Sequence, residues 1–360
     1  MNPRAPRIVY LAVQDPHYPR NARIRSFLET AGCSVAVVPL HGRGPRWRRW
    51  ATALRALLLD GRRADGYVLA EFSNKFALLA WLWAKANGGI LVVDGFVGLH
   101  ETRIGDWGDA SKHSLASRRY AFLDLLAVRL SETYLIDTEY RAAAVRRRHP
   151  AASVRSLPVG APPWARAEAV GDEGARRPSI LFYGNYLPLH GAARIVEAVA
   201  ILRESRPSAF TVTMIGSGSG REDVVRRAGE LSLEDVITFM DAMPVDDLAV
   251  HLKAAHVVMG VFGSSEKARS VIPNKVWQGL ACGAVVVTQR TPALDEISSL
   301  VGGQLVQTEA DPPAIALSLE RALSLPRSNS IPCAADALES YVADRFALEV
   351  GATFGIADRS

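Results

Sequence analysis

The sequence predicts an α/β protein made of two doubly wound domains with parallel sheets. Short apolar runs of strand length alternate with helical segments along most of the chain, which is the pattern of βαβ units. A stretch with several Pro and Gly residues and no apolar periodicity, 158–178, interrupts this alternation near the middle. The length of 360 residues, 49% of them hydrophobic, is sufficient for two such cores.

The first domain is predicted to span 1–163 and to open with a βαβ unit. An apolar strand at 8–13 precedes a helix at 22–31, which carries apolar residues on one face and is ended by Gly32. Strands and helices then alternate, as in doubly wound sheets. The strands are predicted at 35–38, 66–70, 90–94, 133–137 and 155–159, and the helices at 75–86, 118–130 and 139–148.

The second domain is predicted to span 176–344. A helix is predicted to begin near Pro273 and to end at Gly283, because Pro suits the first turn of a helix and Gly its C-terminal stop. A final helix at 334–346 stands apart from the strands. These strands are predicted at 179–183, 211–215, 236–239, 257–261 and 284–288.

Composition narrows the function classes. The net charge of +5 suits an anionic small ligand or an acidic membrane surface, and it is too weak to argue for nucleic acid. The three cysteines, Cys33, Cys282 and Cys333, are far apart and form no CxxC pair, so neither a disulfide framework nor a zinc site is predicted. The sequence shows no apolar leader of signal length and no run of 18 apolar residues, so the expected location is the cytoplasm.

Glycines mark the ends of two predicted strands in the second domain. Gly184 follows the first strand and Gly191 opens the next helix, while Gly216 and Gly218 follow the second strand. Glycine lets the backbone approach a phosphate or a sugar closely, and His190 beside the helix start can hydrogen-bond a phosphate oxygen. Because ligands of open α/β sheets bind at the carboxyl ends of strands, this pattern favours a phosphate-bearing ligand. The alternative is a set of plain strand-to-helix turns.

Polar residues also cluster at the helix that begins near Pro273. Lys267, Arg269 and Lys275 place three cations within nine residues, and Asn274 lies among them. The free backbone N–H groups of a helix start bind anions, and nearby cations strengthen such a site. The cluster therefore predicts an anion site, and the alternative is a solvated surface loop.

Carboxylates and a histidine supply further candidates. Glu296 follows the last predicted strand and a Pro turn, where it can accept hydrogen bonds from sugar hydroxyls or favour a helix N-terminus. In the first domain, a long polar loop at 94–109 holds His100, Glu101 and Asp106, which can supply a base or a hydroxyl-orienting carboxylate. The alternative for this loop is solvated charge, and nothing in it completes a metal shell.

The segment 43–63 is basic and amphipathic. It contains seven arginines, and Trp47, Trp50 and several leucines fall on one helical face. A basic helix with Trp on its apolar side is typical of the membrane interface, so an anionic membrane surface is one predicted partner. The alternative is a helix that packs its apolar stripe on the sheet.

The motifs of the second domain resemble those of the GT-B glycosyltransferases of family 4. The similar segments are FYGNYLPLHG at 182–191, IGSG at 215–218, VIPNK at 271–275 and LACGAVVV at 280–287. They are most similar to a bacterial branch that carries IPNKV before a helix of small residues. In the first domain, HYPRN at 17–21 and YLIDT at 134–138 resemble the same branch more loosely.

The resemblance implies two Rossmann-like domains facing across a cleft, with a C-terminal helix at about 345–360 crossing back to the first. It implies a nucleotide-sugar donor in the second domain and a hydroxyl acceptor, possibly lipid-linked, in the first, near Arg20 and Asn21. It also implies retention of configuration and no metal or other cofactor. The implied donor residues are Gly184, Asn185, His190, Gly191, Gly216, Gly218, Lys267, Asn274, Lys275, Gln278 and Glu296.

The chain departs from the family pattern at four positions. Asn185 stands where many relatives have Arg, His190 where they have Lys, and Ser270 and Gln278 where they have Glu. The main prediction is a glycosyltransferase that builds a surface polysaccharide or modifies a small molecule. Because of these departures, two alternatives are kept. One is a nucleotide-sugar epimerase, and the other is an inactive subunit that binds a nucleotide sugar.

Overall fold

The chain divides into two compact units in a computed structural model. The first unit comprises Met1–Pro158 and Val342–Ser360, and the second comprises Val159–Tyr341. The structure describes residues 5–13, 18–38, 51, 55, 57–58, 63–96, 98–106, 111, 113–166, 177–206, 210–325 and 334–356. Most of the segment 43–63 and part of the predicted linker lie outside these residues.

Within the described residues, the first unit contains a six-stranded sheet in which all strand pairs are parallel. The strand order is β2-β1-β3-β4-β5-β6, so the order reverses between β1 and β3. The inner strands β3 and β5 are buried along their whole length, as expected where helices cover both faces of a parallel sheet. The strands are β1 Arg7–Leu11, β2 Ser34–Val38, β3 Gly66–Leu69, β4 Ile90–Asp94, β5 Thr133–Ile136 and β6 Val154–Ser156.

Helices connect these strands, and short polar side chains cap two of them. The Ser114 hydroxyl accepts a hydrogen bond from the Ser117 N–H, and the Thr138 hydroxyl accepts one from the Arg141 N–H. Such caps satisfy N–H groups that a helix leaves unpaired at its start. The described helices of this unit are α1 Pro19–Thr30, α2 Ala77–Asn87, α3 Leu115–Leu130 and α4 Glu139–Arg148.

The second unit contains a second parallel sheet, also of six strands in the described part. Its order is β12-β11-β10-β7-β8-β9, so the order reverses between β7 and β10. All five residues of β11 are buried. The strands are β7 Ser179–Tyr183, β8 Thr211–Ile215, β9 Ile237–Met240, β10 Val257–Met259, β11 Val285–Gln289 and β12 Leu305–Thr308.

Eight helices follow in the described part of the chain from residue 192 onward. They are α5 Ala192–Ser205, α6 Arg221–Glu230, α7 Val245–Ala254, α8 Glu266–Ser270, α9 Asn274–Ala281, α10 Asp295–Val301, α11 Pro312–Ser324 and α12 Ala334–Phe346. A π-helical turn, Ala347–Gly351, and a short turn, Ala352–Phe354, end the described chain. Helix α9 is the most enclosed of these, because every residue from Lys275 to Ala281 is buried.

The chain crosses between the two units at residues 158–159 and again within α12. The turn Pro163–Ala165, which the sequence assigns to the linker, packs against α7 of the second unit, and Ala165 is fully buried there. From Val342 onward the chain belongs to the first unit. There Phe346 contacts Phe27 with ring centroids 5.5 Å apart, and Arg345 donates to the Ser156 carbonyl at 3.0 Å.

The predicted α/β class with doubly wound parallel sheets is confirmed. Most predicted strands are within two residues of their observed bounds, and β4, β7 and β8 match them. The prediction omitted β12, a four-residue LVQT segment in which Gln307 interrupts the apolar run. The loop predicted at 94–109 is wrong in part, since Glu101–Asp106 forms a π-helical turn. Asp124 stabilises this turn by accepting hydrogen bonds from the N–H groups at its start.

Substitution of Gly279 tests how tightly α9 packs on the sheet. A Cβ at this position would lie 2.7 Å from Val286 Cγ2 and 3.1 Å from Val258 Cβ. Overpacking a tight core costs about 1–3 kcal/mol, which exceeds the gain of at most about 1 kcal/mol from the helix propensity of Ala. We therefore expect Gly279→Ala to lower the unfolding free energy measured by urea denaturation. Gly303→Ala, with no atom within 4 Å of the new Cβ, is the matched control.

Candidate functional site

The point where strand order reverses brings two loops of the second unit together. In doubly wound sheets, ligands bind at this switch point, outside the carboxyl ends of the strands. The loop after β7 contains the turn Pro188–His190, and the chain after β10 runs beside it. The Phe262 N–H donates to the His190 carbonyl at 3.1 Å, and the Gly263 N–H donates to the Leu189 carbonyl at 3.0 Å. These bonds fix the two loops against each other at the edge of the sheet.

Glycines allow the loops after β7 and β8 to touch through their backbones. Gly184 and Gly216 adopt φ values of +144° and +136°, which side chains rarely tolerate. A Cβ on Gly216 would lie 2.0 Å from the Gly184 carbonyl oxygen, and one on Gly218 would lie 1.8 Å from that of Asn185. This part of the edge is therefore lined by backbone, and a ligand there can approach the main chain closely.

Lys275 extends from α9 into the same region. Its side chain is buried, and its Nζ lies 5.5 Å from the ring centre of Phe182 and 5.8 Å from that of Tyr183. A Cβ added to Gly184 would lie 3.0 Å from Lys275 Nζ and 2.9 Å from His190 Cε1. The ammonium group, the imidazole and the Gly184 backbone therefore border one small space.

Burial shifts the ionisation of both side chains. It lowers the pKa of Lys275 to about 7, and no carboxylate within the described residues forms an ion pair with this lysine. Burial, together with the nearby Lys275, lowers the pKa of His190 to about 3, so this imidazole stays neutral. Its Nδ1 has no hydrogen-bond partner among the described residues. A buried cation without a counter-ion beside an unsatisfied polar nitrogen is typical of a binding site for an anion.

Several of the other predicted donor residues lie on elements next to this space. Gln278 is buried, and its Oε1 accepts a hydrogen bond from the Tyr183 hydroxyl at 2.5 Å. Asn274 begins α9, Gly191 directly precedes α5, and α8 with half-buried Lys267 packs against the turn that carries His190. The described contacts bring Gly184, His190, Lys275 and Gln278 together through Tyr183 and Phe182.

Glu296 lies at the start of α10, where it accepts a hydrogen bond from the Tyr341 hydroxyl at 3.4 Å. Its carboxylate is half-buried, and no described contact joins it to Lys275 or His190. Sequence reasoning missed the roles of Phe182 and Tyr183, although both lie in the FYG segment that ends β7. Aromatic residues directly before Gly184 were the available signal, because ring faces attract a cation.

The first unit has its own polar cluster where its strand order reverses. Arg20 is fully buried, and its Nε donates to both carboxylate oxygens of Asp94, at 2.8 and 2.9 Å. Its NH1 donates to the Leu157 carbonyl at 2.6 Å, and the guanidinium lies 5.0 Å from the ring centre of Phe96. This arrangement joins α1 to the ends of β4 and β6.

Asn21, next to Arg20, completes the cluster. Its Nδ2 donates to Glu71 Oε1 at 2.8 Å, and its Oδ1 accepts from the Tyr10 hydroxyl at 3.1 Å. Burial, with the charge of Asp94, raises the pKa of Glu71 to about 7. Both predicted acceptor residues are thus fully buried and bonded within the first unit.

The candidate catalytic residues lie in the loop after β4. His100 Nε2 lies 2.9 Å from the Ser117 hydroxyl, and Glu101 forms an ion pair of 2.5 Å with Arg141. Arg141 also bonds Asp137 at 2.7 Å. Asp106 ends the π-helical turn, and the position of its side chain lies outside the described part of the structure.

Two features are absent from the described residues. They contain no group of three or more His, Cys, Asp and Glu side chains arranged to hold a metal ion. No helix among them is long and apolar enough to cross a membrane. Cys33 and Cys282 are both buried free thiols.

Two doubly wound units with parallel sheets are the architecture of the GT-B fold class. Residues 177–324 match the family described as Glycosyl transferases group 1. A D-inositol 3-phosphate glycosyltransferase from Pseudarthrobacter chlorophenolicus is 29% identical over 180 residues, which cover 45% of this chain. The matched stretch spans 42% of that relative's length, so it represents less than half of the relative.

Solved structures of similar fold cover nearly the whole chain. A sucrose-phosphate synthase from Thermosynechococcus elongatus has a TM-score of 0.69 at 15% identity, over 97% of this chain and 99% of the other. WaaG, a glycosyltransferase involved in lipopolysaccharide biosynthesis, has a TM-score of 0.62 at 14% identity, over 98% and 100%. HepE from Anabaena, solved with UDP and glucose, has a TM-score of 0.62 at 14% identity, over 97% and 99%.

These likenesses confirm the predicted GT-B fold. The family match lies within the second unit, and the named relative is a glycosyltransferase, in agreement with the predicted enzyme class.

The buried ammonium predicts how stability depends on pH. The pKa of Lys275 falls from its ordinary value of 10.5 to about 7 in the fold, so the unfolded chain binds more protons between these values. The unfolding free energy should therefore rise there by at most about 1.4 kcal/mol per pH unit, and Lys275→Met removes this contribution. In chemical denaturation from pH 6 to 9, wild-type stability should increase relative to the variant above pH 7.

Lys253→Met, at a half-exposed position on α7, is the control, and its stability difference from wild type should not vary with pH in the same way. A constant difference between wild type and Lys275→Met would contradict the burial of a titrating ammonium.

Proposed function

We propose that the protein transfers a sugar from a nucleotide-sugar donor to a hydroxyl group of an acceptor, with the donor held at the carboxyl edge of the second sheet. One observation carries this proposal. The buried Lys275, which has no ion-pair partner among the described residues, borders the same space as His190 and the close backbone contact of Gly184 and Gly216. The group 1 family match covers this edge. HepE, of similar fold, was solved with UDP and glucose, which supports a nucleotide sugar as the ligand.

The chemistry of glycosyl transfer requires such a charge arrangement. When the bond between the sugar and the diphosphate breaks, negative charge develops on the leaving diphosphate. A cation in a partly dehydrated site stabilises that charge more than water does. Lys275 supplies the cation, and the free N–H groups at the start of α9 add partial positive charge. An approaching diphosphate also raises the pKa of Lys275, so donor binding keeps the lysine protonated.

The departures from the family pattern fit this arrangement. Asn185 and neutral His190 leave the loop after β7 without a cation, whereas relatives place Arg and Lys there. Lys275 reaches the same space from α9, so one positive charge remains beside the Gly184 backbone. We assign the chain on this basis to family 4 and to the branch with the IPNKV motif, and we place Lys267, Asn274 and Gln278 on the donor side.

The acceptor side belongs to the first unit in this proposal. His100 and Glu101 lie on one helical turn, with Asp106 at its end. Because Glu101 forms an ion pair with Arg141, His100 is the better candidate to receive the acceptor proton. Arg20 and Asn21 are fully buried, so we assign them a positioning role beneath the acceptor rather than a direct contact. A lipid-linked or polysaccharide acceptor, membrane contact through 43–63 and a cytoplasmic location remain predictions.

The two alternative functions receive less support. An epimerase would need acids and bases around the donor sugar, and the described contacts of Lys275 and His190 include no carboxylate. The matched family and the named relative are glycosyltransferases. An inactive subunit would bind the donor and form no product, so a product assay separates it from the proposed enzyme. Retention is tested by the anomeric proton coupling of the product in NMR.

The donor assignment predicts the effect of removing either lysine. A thermal-shift panel of UDP-, GDP-, ADP- and dTDP-sugars should first identify the donor. By calorimetry, Lys275→Ala and Lys267→Ala should each weaken its binding by about 1.5–3 kcal/mol, the contribution of a hydrogen bond to a charged group. Arg321→Ala, at an exposed position on α11, should leave the affinity unchanged. Wild-type affinity in both lysine variants would rule out this donor site.

Independence from divalent metal is a separate prediction. Lys275 and the α9 N-terminus are proposed to stabilise the leaving diphosphate, so turnover should persist in excess EDTA. The measurement is release of nucleoside diphosphate with and without EDTA, at matched ionic strength. Loss of turnover that Mg²⁺ or Mn²⁺ restores would show that these groups are insufficient.

A further inference from the structure

Two neighbouring helices of the first unit turn large apolar side chains toward solvent. Helices α2 and α3 pack against each other. On α2, Leu78 and Leu82 are 47% and 52% exposed, and on α3, Leu115 and Phe122 are 82% and 56% exposed. Single exposed apolar residues are ordinary, but four large ones on adjacent helices indicate an interaction surface. We call these four residues, together with the exposed Arg118, Arg119 and Arg129 of α3, the α2–α3 face.

The opposite sides of both helices pack against the rest of the first unit. The buried residues of both helices are small or medium-sized, and α2 also packs partly buried Leu79, Trp81 and Trp83 against the core. The four exposed residues are not part of this core. The buried residues are Ala77, Ala80 and Ala84 on α2, and Ser117, Ala127 and Val128 on α3. Each helix therefore has one side that packs on the unit and an exposed side that carries large apolar residues.

The charges on this face have one sign. Arg118, Arg119 and Arg129 are exposed on α3, and none forms an ion pair with another described residue. The nearby carboxylates already have hydrogen-bond or ion-pair partners in the first unit. Asp124 accepts hydrogen bonds from two backbone N–H groups of the preceding loop, and Glu132 forms an ion pair of 2.7 Å with a lysine of α2. The described face therefore combines apolar side chains with positive charge.

We propose that the α2–α3 face docks on a membrane surface that contains anionic lipids. In this position Leu78, Leu82, Leu115 and Phe122 enter the headgroup region, and the arginines of α3 pair with lipid phosphates. Apolar and basic residues on one face are the combination that interfacial helices use. A second copy of the chain fits less well, because a two-fold interface would bring the same arginines against each other.

This surface is distinct from the segment 43–63, and the proposal does not depend on glycosyl transfer. The test is sedimentation with two kinds of vesicle. One kind is pure phosphatidylcholine, and the other contains equal parts of phosphatidylcholine and phosphatidylglycerol. Wild-type protein should bind the anionic vesicles at low salt and dissociate as salt rises, because surface attraction to lipid charge is screened.

Two double variants separate the apolar and charged contributions. Leu115→Gln with Phe122→Gln should weaken vesicle binding by roughly tenfold or more, since both side chains lose their apolar contact. Arg118→Gln with Arg119→Gln should weaken it by about fivefold per arginine and reduce the dependence on salt. The matched control is Leu317→Gln with Arg321→Gln, an exposed apolar and basic pair one turn apart on α11 of the second unit. The control should bind as wild type does.

A variant that gains tryptophan fluorescence on binding vesicles gives a test that does not rely on loss of binding, which misfolding could also cause. With anionic vesicles, Phe122→Trp should show a blue shift and quenching by brominated lipid beyond those of wild type, whereas Leu317→Trp should match wild type. The proposal is overturned if wild-type protein does not bind anionic vesicles, or if brominated lipid quenches Phe122→Trp no more than wild type. It is also overturned if the α3 variants bind normally and only changes within 43–63 abolish binding. Dimers that dissociate in these variants would assign the face to self-association instead.

Discussion

The buried ammonium of Lys275 is the group on which the second unit's carboxyl edge depends. It sits on a helix whose remaining residues, up to Ala281, are buried. Removing a charge from water without a partner is costly, so the surrounding core must offset this cost. In the proposed function, the diphosphate of the donor supplies the negative charge that Lys275 lacks among the described residues.

The charged residues at the two switch points differ in whether they have an ion-pair partner. In the first unit, Arg20 meets Asp94 in a closed pair, and further bonds fix the surrounding strand ends. Breaking a buried ion pair is costly because it leaves one charge alone, so this pair holds the unit in one arrangement. In the second unit, Lys275 has no such partner among the residues that the structure describes, and His190 stays neutral. The same topology therefore carries a structural ion pair in one unit and an open cation in the other.

The close contact between loops constrains what the second unit can bind. With φ of +136° and the Gly184 carbonyl against its Cα, Gly216 has no room for a side chain. The edge thus combines closely packed backbone with the Lys275 side chain, and no described carboxylate pairs with this lysine. The hydrogen bond from the Tyr183 hydroxyl to Gln278 Oε1 fixes the orientation of this side chain at the same edge.

The sequence alone determined the fold class and most strand positions, because buried parallel strands are continuous runs of Val, Ile and Leu bounded by glycine. It also located the Gly184, Gly216 and Lys275 segments, since glycine turns and helix starts are local features. Tertiary structure decided the ionisation of Lys275 and His190, which depends on burial. It also decided the pairing of Arg20 with Asp94, 74 residues away, and the turn at Glu101–Asp106, which Asp124 holds from another helix. Such long-range contacts leave no periodic pattern in the chain.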